Sequence, residues 1–246
     1  MIMENSQLHR LADMIRGARR AIFFGGAGVS QESGIPDFRS ANGLYHQQWR
    51  YPPETILSHG FFRRYPEEFF RFYREKLLFP DARPNAAHHA LARLEEKGVL
   101  SGVITQNIDG LHQRAGSRNV IELHGSVHRN FCMKCGKSFL LDDILKQQGI
   151  PRCPCGGTIK PDVVLYGEQL PTRAIEDALE EIAVSDLLII GGTSLTVYPA
   201  AGFVADYEGP IAIINRSETG MDGKADLRID APIGRTMEAV MALLEG

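Results

Sequence analysis

The chain has 246 residues, of which 43% are hydrophobic, so it can bury a large core as one domain or as one domain with a smaller insertion. A formal net charge of -3 gives no electrostatic case for non-specific binding to nucleic acid. No membrane span is predicted because no run of about 18 apolar residues is present. The start, Met1–Ser6, lacks the basic and apolar regions of a leader, so a cytoplasmic location is expected.

A predicted helix from Ser6 to Gly17 leads into a glycine-rich stretch. The apolar run Ala21–Phe24 predicts a short buried strand, and Gly25–Gly28 then lets the backbone approach a ligand closely. Backbone N–H groups at such a strand-to-helix turn attract phosphate oxygens. The segment therefore indicates a nucleotide site, although a buried strand that ends at a glycine turn without a ligand is the alternative.

The dehydrogenase fingerprint does not fit this turn. If Gly26 and Gly28 were its first two glycines, the third position would fall on Gln31. No acidic residue ends a second strand about twenty positions on, where a ribose partner is expected. Instead, the stretch Gly34–Arg39 places a carboxylate, an aromatic ring and a guanidinium beside the phosphate site. These groups favour chemistry on a bound nucleotide.

Residues 40–82 differ in character from the rest of the chain. The segments Asn42–Tyr45 and Tyr51–Pro53 are typical of loops, and Phe61–Leu78 is an aromatic-rich helical stretch. We interpret this region as a flexible, partly helical insertion over the nucleotide; an ordinary connecting segment is the alternative.

Polar residues follow the next predicted strands. A helix that starts at Pro84 and Asn85 precedes the strand Gly102–Thr105, which is followed by Gln106–Asp109. The strand-like run Val120–Gly125 ends in His124 at a glycine. Ligands of doubly wound sheets bind outside the carboxyl ends of strands, so these residues are candidates for contact. A turn without a ligand and a structural histidine are the alternatives.

Two cysteine pairs indicate a metal site. Cys132 and Cys135 are separated by about 17 residues from Cys153 and Cys155, which is typical of a zinc ribbon. Four thiolates fill a tetrahedral coordination sphere and leave no position for substrate, so the zinc is expected to be structural. The second pair is C-x-C, and His128 is a possible substitute ligand. Free thiols in a cytosolic protein are the alternative.

The last third repeats the opening pattern. Pro161–Glu168 returns to strand character and Pro171–Val184 predicts an amphipathic helix. Asp186–Ser194 is a second buried strand with a glycine turn, and the strand Ile211–Ile214 ends at Asn215. Two such turns in one sheet suit the two halves of a dinucleotide. The pattern predicts an α/β fold: a doubly wound, mostly parallel Rossmann-like sheet with a smaller helical and zinc-ribbon domain.

Taken together, these segments resemble the sirtuin family of NAD-dependent protein lysine deacylases, in its bacterial form. The matching pieces, in family order, are Gly26–Ser30, Gly34–Arg39, Thr105–Asp109, Leu123–Gly125, both cysteine pairs, Pro161–Val164 with Gly167 and Glu168, Gly192–Leu195, and Ile214 with Asn215. An NAD-binding domain is then expected from residues 1–39, 83–126 and 160–246, with a helical insertion at 40–82 and a zinc ribbon at 127–159.

The resemblance implies an NAD-consuming reaction that gives nicotinamide, O-acyl-ADP-ribose and free lysine. His124 is expected to act as general base on a ribose hydroxyl, and Asp109, with the backbone of Ile108, to hold the nicotinamide carboxamide. Asn107 completes the expected catalytic set, and Phe38 would exclude water. The expected cofactor contacts are Gly26, Ala27, Gly28, Ser30, Gln31, Asp37, Phe38, Arg39, Gln106, Asn107, Ile108, Asp109, His124, Gly192, Thr193, Ser194 and Asn215. The expected substrate contacts are Val163, Val164, Leu195, Val197 and Tyr73.

The acyl group and the partners follow from the same resemblance. Family members that prefer anionic acyl groups carry Tyr-x-x-Arg, whereas Tyr73–Lys76 ends in a lysine, which lacks the planar fork that grips a carboxylate. Acylated lysines on proteins or peptides are the expected partners, with a neutral acyl group favoured over succinyl and with a monomer as the acting form. Two alternatives stay open: ADP-ribosyl transfer to a protein at the same site, and a zinc-ribbon regulator that binds nucleic acid.

Overall fold

The computed structural model describes residues 5–40 and 43–246. Residues 1–4, where the chain was expected to lack a leader, and residues 41–42, which include Asn42 of the predicted loop, lie outside the described residues. The strands are, in chain order, β1 (Ala21–Gly25), β2 (Leu100–Thr105), β3 (Val120–Glu122), β4 (Gly125–Cys132), β5 (Ser138–Leu140), β6 (Ile159–Val163), β7 (Leu187–Gly191), β8 (Ile211–Ile214) and β9 (Leu227–Ile229). The α-helices are α1 (Asn5–Gly17), α2 (Pro53–Ile56), α3 (His59–Arg64), α4 (Pro66–Lys76), α5 (Ala86–Glu96), α6 (Leu111–Ala115), α7 (Leu141–Leu145), α8 (Thr172–Ala183) and α9 (Ile233–Glu245).

Six parallel strands form the main sheet, in the order β3-β2-β1-β7-β8-β9. The order reverses between β1 and β7, which lie side by side with Gly25 opposite Gly191. Sheets of this order bind dinucleotides in the crevice outside the carboxyl ends of their strands, at that point of reversal. The prediction of a doubly wound, mostly parallel Rossmann-like sheet is confirmed.

Burial on both faces explains why these strands are continuous apolar runs. Phe23 and Ile189 point into one apolar cluster, which α1, α5 and α9 help to form. Phe24 and Ile190 point into a second cluster on the opposite face, with residues of α8. Helices on both faces therefore leave only the edges of the sheet near solvent.

The remaining part consists of the insertion and a small antiparallel sheet of order β5-β4-β6. The predicted helical stretch Phe61–Leu78 divides into α3 and α4 at Tyr65, whose φ of -132° and ψ of 58° are not helical. The break follows from Pro66, which disfavours helical geometry in the preceding residue. Aromatic rings of these helices form a third apolar cluster that includes Val127 of β4, Val163 of β6 and Leu141 of α7. Within the described residues, no helix combines the length and apolar character needed to cross a bilayer.

Candidate active site

A cleft of about 1110 Å³ lies along the carboxyl edge of the main sheet and continues under the insertion. Its volume slightly exceeds the range of about 300–1,000 Å³ that is usual for small-molecule pockets, so it can hold a dinucleotide and part of a second substrate. The predicted site residues that line it are Ala27, Gly28, Ser30, Gln31, Asp37, Phe38, Arg39, Gln106, Asn107, Ile108, Asp109, His124, Val163, Val164, Gly192, Thr193, Ser194, Val197 and Asn215. Gly26, Leu195 and Tyr73 are not on this wall.

The two glycine turns touch each other where the strand order reverses. The N–H of Gly28 donates to the carbonyl oxygen of Gly192 at 2.7 Å. Gly192 has a φ of +59°, and a Cβ there would lie 2.3 Å from the backbone nitrogen of Val29. Gly26 lies behind the wall, where a Cβ would meet Gln106 Oε1 at 2.8 Å. The close approach of two backbones makes glycine necessary at this crossing.

Asp109 is held by two hydrogen bonds in a largely buried position. Its Oδ2 accepts from Ser30 Oγ at 2.7 Å and its Oδ1 accepts from the N–H of Leu111 at 2.9 Å. Asn107 Nδ2 donates to the same Ser30 Oγ at 3.1 Å. Burial raises the pKa of Asp109 above its usual range. Ser30 therefore orients Asp109 in this structure, and the carboxylate keeps acceptor capacity for a ligand amide.

His124 lies at the end of the short loop after β3. Its Nδ1 is 2.9 Å from the carbonyl oxygen of Gln106, which can only accept, so Nδ1 carries the proton and Nε2 is left as an acceptor. Burial lowers the pKa of His124 and favours the neutral imidazole. A neutral imidazole with an open nitrogen can take a proton from a bound hydroxyl.

Gln106 offers an orphaned donor to the cleft. Its Oε1 accepts from Thr193 Oγ1 at 2.8 Å, which fixes the side chain between the two glycine turns. Its Nε2 is buried and has no hydrogen-bond partner among the described residues. A buried donor of this kind requires a partner, and a ribose hydroxyl of NAD would supply one. The glycine crossing and this donor together fit a dinucleotide.

The segment that carries Phe38 pairs with the backbone that follows it. The N–H groups of Leu44 and Tyr45 donate to the carbonyl oxygens of Asp37 and Phe38 at 2.7 and 2.9 Å. The ring of Phe38 meets Tyr45 edge-on, with 5.6 Å between centroids. The guanidinium of Arg39 lies over the Tyr45 ring, 5.5 Å from its centroid, and donates to Ser194 Oγ at 3.4 Å. The segment thus lies between the insertion and the second glycine turn.

The four cysteines lie together at one end of the small sheet. Their Sγ atoms are all within 4.8 Å of one another, with Cys132 and Cys155 at 3.4 Å and Cys135 and Cys153 at 3.7 Å. A tetrahedral zinc with Zn–S bonds of about 2.3 Å needs sulfur atoms about 3.8 Å apart, so the cluster fits the metal. The C-x-C spacing thus allows Cys153 and Cys155 both to join the cluster, so the four Sγ atoms can supply all four ligands. His128 is not such a ligand, because its Nε2 lies 3.0 Å from the carbonyl oxygen of Asp109.

Tyr73 does not reach the cleft. Its side chain is fully buried and stacked on Phe69, with 5.9 Å between ring centroids. Its hydroxyl has no hydrogen-bond partner within the described part of the chain, and burial raises its pKa. The expectation that Tyr73 contacts substrate is therefore corrected: the residue belongs to the aromatic core. Lys76, one turn further on, does line the cleft.

Two tyrosines at the cleft were not predicted. Tyr45 and Tyr166 join the insertion to the loop after β6 through hydroxyl oxygens 2.5 Å apart. Both residues line the cleft. The available signal was the tyrosine before Gly167 at the carboxyl end of a predicted strand, but a solvent-facing ring was equally compatible with that position.

The sheet, the crossed glycine turns and the thiolate cluster define a dinucleotide-binding α/β protein with a structural zinc module. The pattern of the Sir2 family matches residues 26–199. The NAD-dependent protein deacetylase of Clostridium acetobutylicum is 53% identical over 240 residues, which are 96% of this chain and 98% of that protein. The NAD-dependent protein deacetylase of Cutibacterium acnes is 54% identical over 234 residues, which are 94% of this chain and 96% of that protein.

Solved structures give the same result. A Sir2 variant with a deacetylated p53 peptide and 3'-O-acetyl ADP-ribose aligns with a TM-score of 0.90 and 39% identity, covering 96% of this chain and 98% of its own. A Sir2 structure with a p53 peptide and NAD+ aligns with a TM-score of 0.86 and 40% identity, with the same two coverages. The chain belongs to the Sir2 family.

Proposed function

We propose that this protein removes acetyl or other neutral acyl groups from protein lysine side chains, with NAD as co-substrate and with nicotinamide, O-acyl-ADP-ribose and free lysine as products. The observation that carries this function is the cleft, in which neutral His124 and buried Asp109 lie beside crossed glycine turns. The curated relatives are named NAD-dependent protein deacetylases. A further Sir2 structure contains a propionylated peptide, which supports more than one neutral acyl group.

The roles proposed for the residues follow from their contacts. NAD, when bound, supplies a ribose carbon that accepts the acyl oxygen as nicotinamide leaves. Asp109 accepts from the nicotinamide carboxamide, because each of its oxygens keeps a lone pair after its protein contact. His124 takes the proton of a ribose hydroxyl at Nε2. Gln106 Nε2 donates to a ribose oxygen, and Phe38 keeps water from the reacting carbon.

The substrate peptide is proposed to pass between two backbone segments. Val163 and Val164 on one side and Val197 on the other line the cleft, which supports a clamp that binds main chain and tolerates many sequences. The four cysteines hold a structural zinc at the other end of the small sheet, and no step of the reaction passes through it.

The test is mass spectrometry of an acetyl-lysine peptide incubated with the protein and NAD. The parent should remove the acetyl group only when NAD is present, and His124→Ala should lose about 10²- to 10⁴-fold in rate, the usual contribution of a general base. His9→Ala, at an exposed position of α1, is the matched control and should retain the parent rate. Equal rates for parent and His124→Ala would remove His124 from the mechanism.

Two further measurements separate the alternatives. Free acyl-ADP-ribose indicates deacylation, whereas ADP-ribose attached to protein indicates the transferase reaction. A strong preference for succinyl-lysine over acetyl-lysine peptide would overturn the neutral acyl group, which Lys76 in place of an arginine supports.

The monomeric state, the lack of nucleic-acid binding and the cytoplasmic location stay predictions. The net charge of -3 supports the second of these. Sedimentation of the protein alone and with duplex DNA tests the first two.

A further inference from the structure

The side-chain amide of Gln31 is occupied at both ends by protein groups. Arg216 donates to Gln31 Oε1 at 2.6 Å, and Gln31 Nε2 donates to Asp37 Oδ2 at 2.7 Å. Gln31 was expected to contact the cofactor, yet its amide oxygen and nitrogen both face other residues. An amide can accept from a guanidinium and donate to a carboxylate at once, which neither a carboxylate nor an ammonium side chain can do.

The chain of contacts continues from Asp37 to the segment that carries Phe38. Asp37 Oδ1 accepts from the N–H of Ser40 at 2.9 Å, so both carboxylate oxygens hold protein groups. The adjacent residue is Phe38. Gly43 packs closely here, since a Cβ at that position would lie 2.7 Å from Asp37 Oδ1.

Arg216, at the other end of this set of contacts, lies close to the expected cofactor. Arg216 directly follows Asn215 at the carboxyl end of β8, where the adenosine half of the cofactor is expected. Arg216, Gln31, Asp37 and Phe38 all line the same cleft. Charge-assisted hydrogen bonds therefore join the residue after β8, Arg216, through Gln31 to Asp37 in the segment that carries Phe38.

We infer that Arg216 and Gln31 are positioning residues, which hold the Asp37–Arg39 segment so that Phe38 covers the reacting carbon. This inference rests on the proposed function. Without the anchor, water reaches that carbon: the bond to nicotinamide breaks with its electron pair on nicotinamide, a water oxygen bonds to the ribose carbon, and one proton passes to solvent. Nicotinamide is then released without removal of an acyl group.

Three variants test the chain of contacts. Arg216→Gln removes the first contact. Gln31→Glu keeps an acceptor for Arg216 but opposes the Asp37 carboxylate, so it breaks the second contact. Arg173→Gln is the matched control, because Arg173 is 91% exposed in its side chain and lies on α8. Zinc content and circular dichroism confirm that each variant is folded.

The first readout is the ratio of nicotinamide released to peptide deacetylated in the same reaction. The parent and Arg173→Gln should give a ratio near one, and Arg216→Gln and Gln31→Glu should each raise it at least twofold. The second readout needs no cofactor: amide hydrogen exchange at Ser40, Leu44 and Tyr45, whose N–H groups bond to Asp37 or Phe38, should be at least threefold faster in both variants.

The inference would be overturned if both variants gave the parent's ratio of nicotinamide to deacetylated peptide and the parent's rates of amide hydrogen exchange. A raised KM for NAD at a parent ratio would also overturn it, since Arg216 would then contact the cofactor directly. A parent protein that never deacetylates the peptide would instead contradict the proposed function, and the exchange measurement would still decide whether the contacts anchor the segment.

Discussion

The main sheet and the zinc module keep their shapes by different means. The main sheet is enclosed between two apolar clusters that include every residue of β1, β7 and β8 except Gly25 and Gly191. The cluster at the zinc end contains few buried residues: Cys132, Ile144, Cys153 and Ile159. Two of its four members are metal ligands. Apolar burial can therefore fix the nucleotide edge, whereas the zinc end of the small sheet needs its metal.

Removal of zinc should have the largest effect and should separate the two regions. Binding of structural zinc contributes about 10–16 kcal/mol in small zinc modules, so chelation should unfold residues 127–159 locally. Cys153→Ser should act in the same direction. Amide NMR spectra before and after chelation measure the change, with β1, β7 and β8 expected to keep their signals.

The control for this prediction is Met133→Ser, which changes an exposed residue between two ligands and should keep the zinc. A small sheet that keeps its NMR signals after complete loss of the metal would contradict the comparison.

Acid should lower the folding stability of the main domain through two buried histidines. The rings of His88 and His112 are buried, with 4.7 Å between centroids, and three of their nitrogens have no hydrogen-bond partner in the described structure. Burial lowers the pKa of His88 to about 4 and that of His112 to about 3. Between these values and the unfolded pKa of 6.5, the unfolded chain binds more protons, so stability falls as the pH falls below 6.5.

Below pH 6.5, each histidine should lower the free energy of unfolding by about 1.4 kcal/mol per pH unit. The pair should account for a loss of about 4 kcal/mol between pH 7 and pH 5. Urea unfolding at pH 7 and pH 5 measures this loss. His112→Phe, which places an apolar ring beside Phe23, should remove about half of the pair's contribution, and exposed His9→Gln should leave it unchanged. If His112→Phe lost as much unfolding free energy between pH 7 and pH 5 as the parent, the histidine pair would not be the cause of the acid sensitivity.

The sequence predicted the main sheet well because burial leaves a direct signal. The strand Ile211–Ile214 was found at its observed bounds, and β1 was predicted one residue short, since each is an apolar run followed by a polar residue or glycine. β9 was missed because it is an edge strand of three residues with Arg228 in the middle. β4 was missed because its register shifts between Ser126 and Asn130, which breaks any alternation.

The candidate site likewise has residues that the local sequence predicts and residues that it does not. Glycine turns and polar residues after strands were found, because a close backbone approach and a strand end both constrain residue type. Tyr73 was assigned to the substrate from the family resemblance alone. The assignment failed because the direction of a helical side chain depends on tertiary packing. Phe69 lies four residues earlier on the same buried face of α4, and that placement decides the position of Tyr73. The contact of Gln31 with Arg216 lay outside the reach of any local pattern, since the two residues are 185 positions apart.

The glycine crossing gives a test within the main sheet. Gly192→Ala should lower the free energy of unfolding by about 3 kcal/mol or more and weaken NAD binding. The added Cβ would collide with the backbone of Val29, and the alanine would have to keep a strained positive φ. Gly98→Ala is the matched control: its φ of +75° imposes the same backbone strain, but nothing lies within 4 Å of its Cβ. Strain alone costs about 1–2 kcal/mol. Equal losses of unfolding free energy in the two variants would show that the backbones at the crossing can separate.

The smallest effect is expected in the pH dependence of activity that His124 sets. His124 lies where the two regions meet, because it follows β3 of the main sheet and precedes β4 of the small one. Burial lowers the pKa of its imidazole, so the neutral base persists below pH 6.5 and is lost only as the pH falls through the lowered value. The profile of kcat/KM reports groups of the free enzyme, and its acid limb should have a midpoint below 6.5, with about a tenfold loss per pH unit beneath it. A midpoint at or above 6.5 would mean that His124 is solvated in the working enzyme, and so that the two regions do not enclose it in solution as they do in this structure.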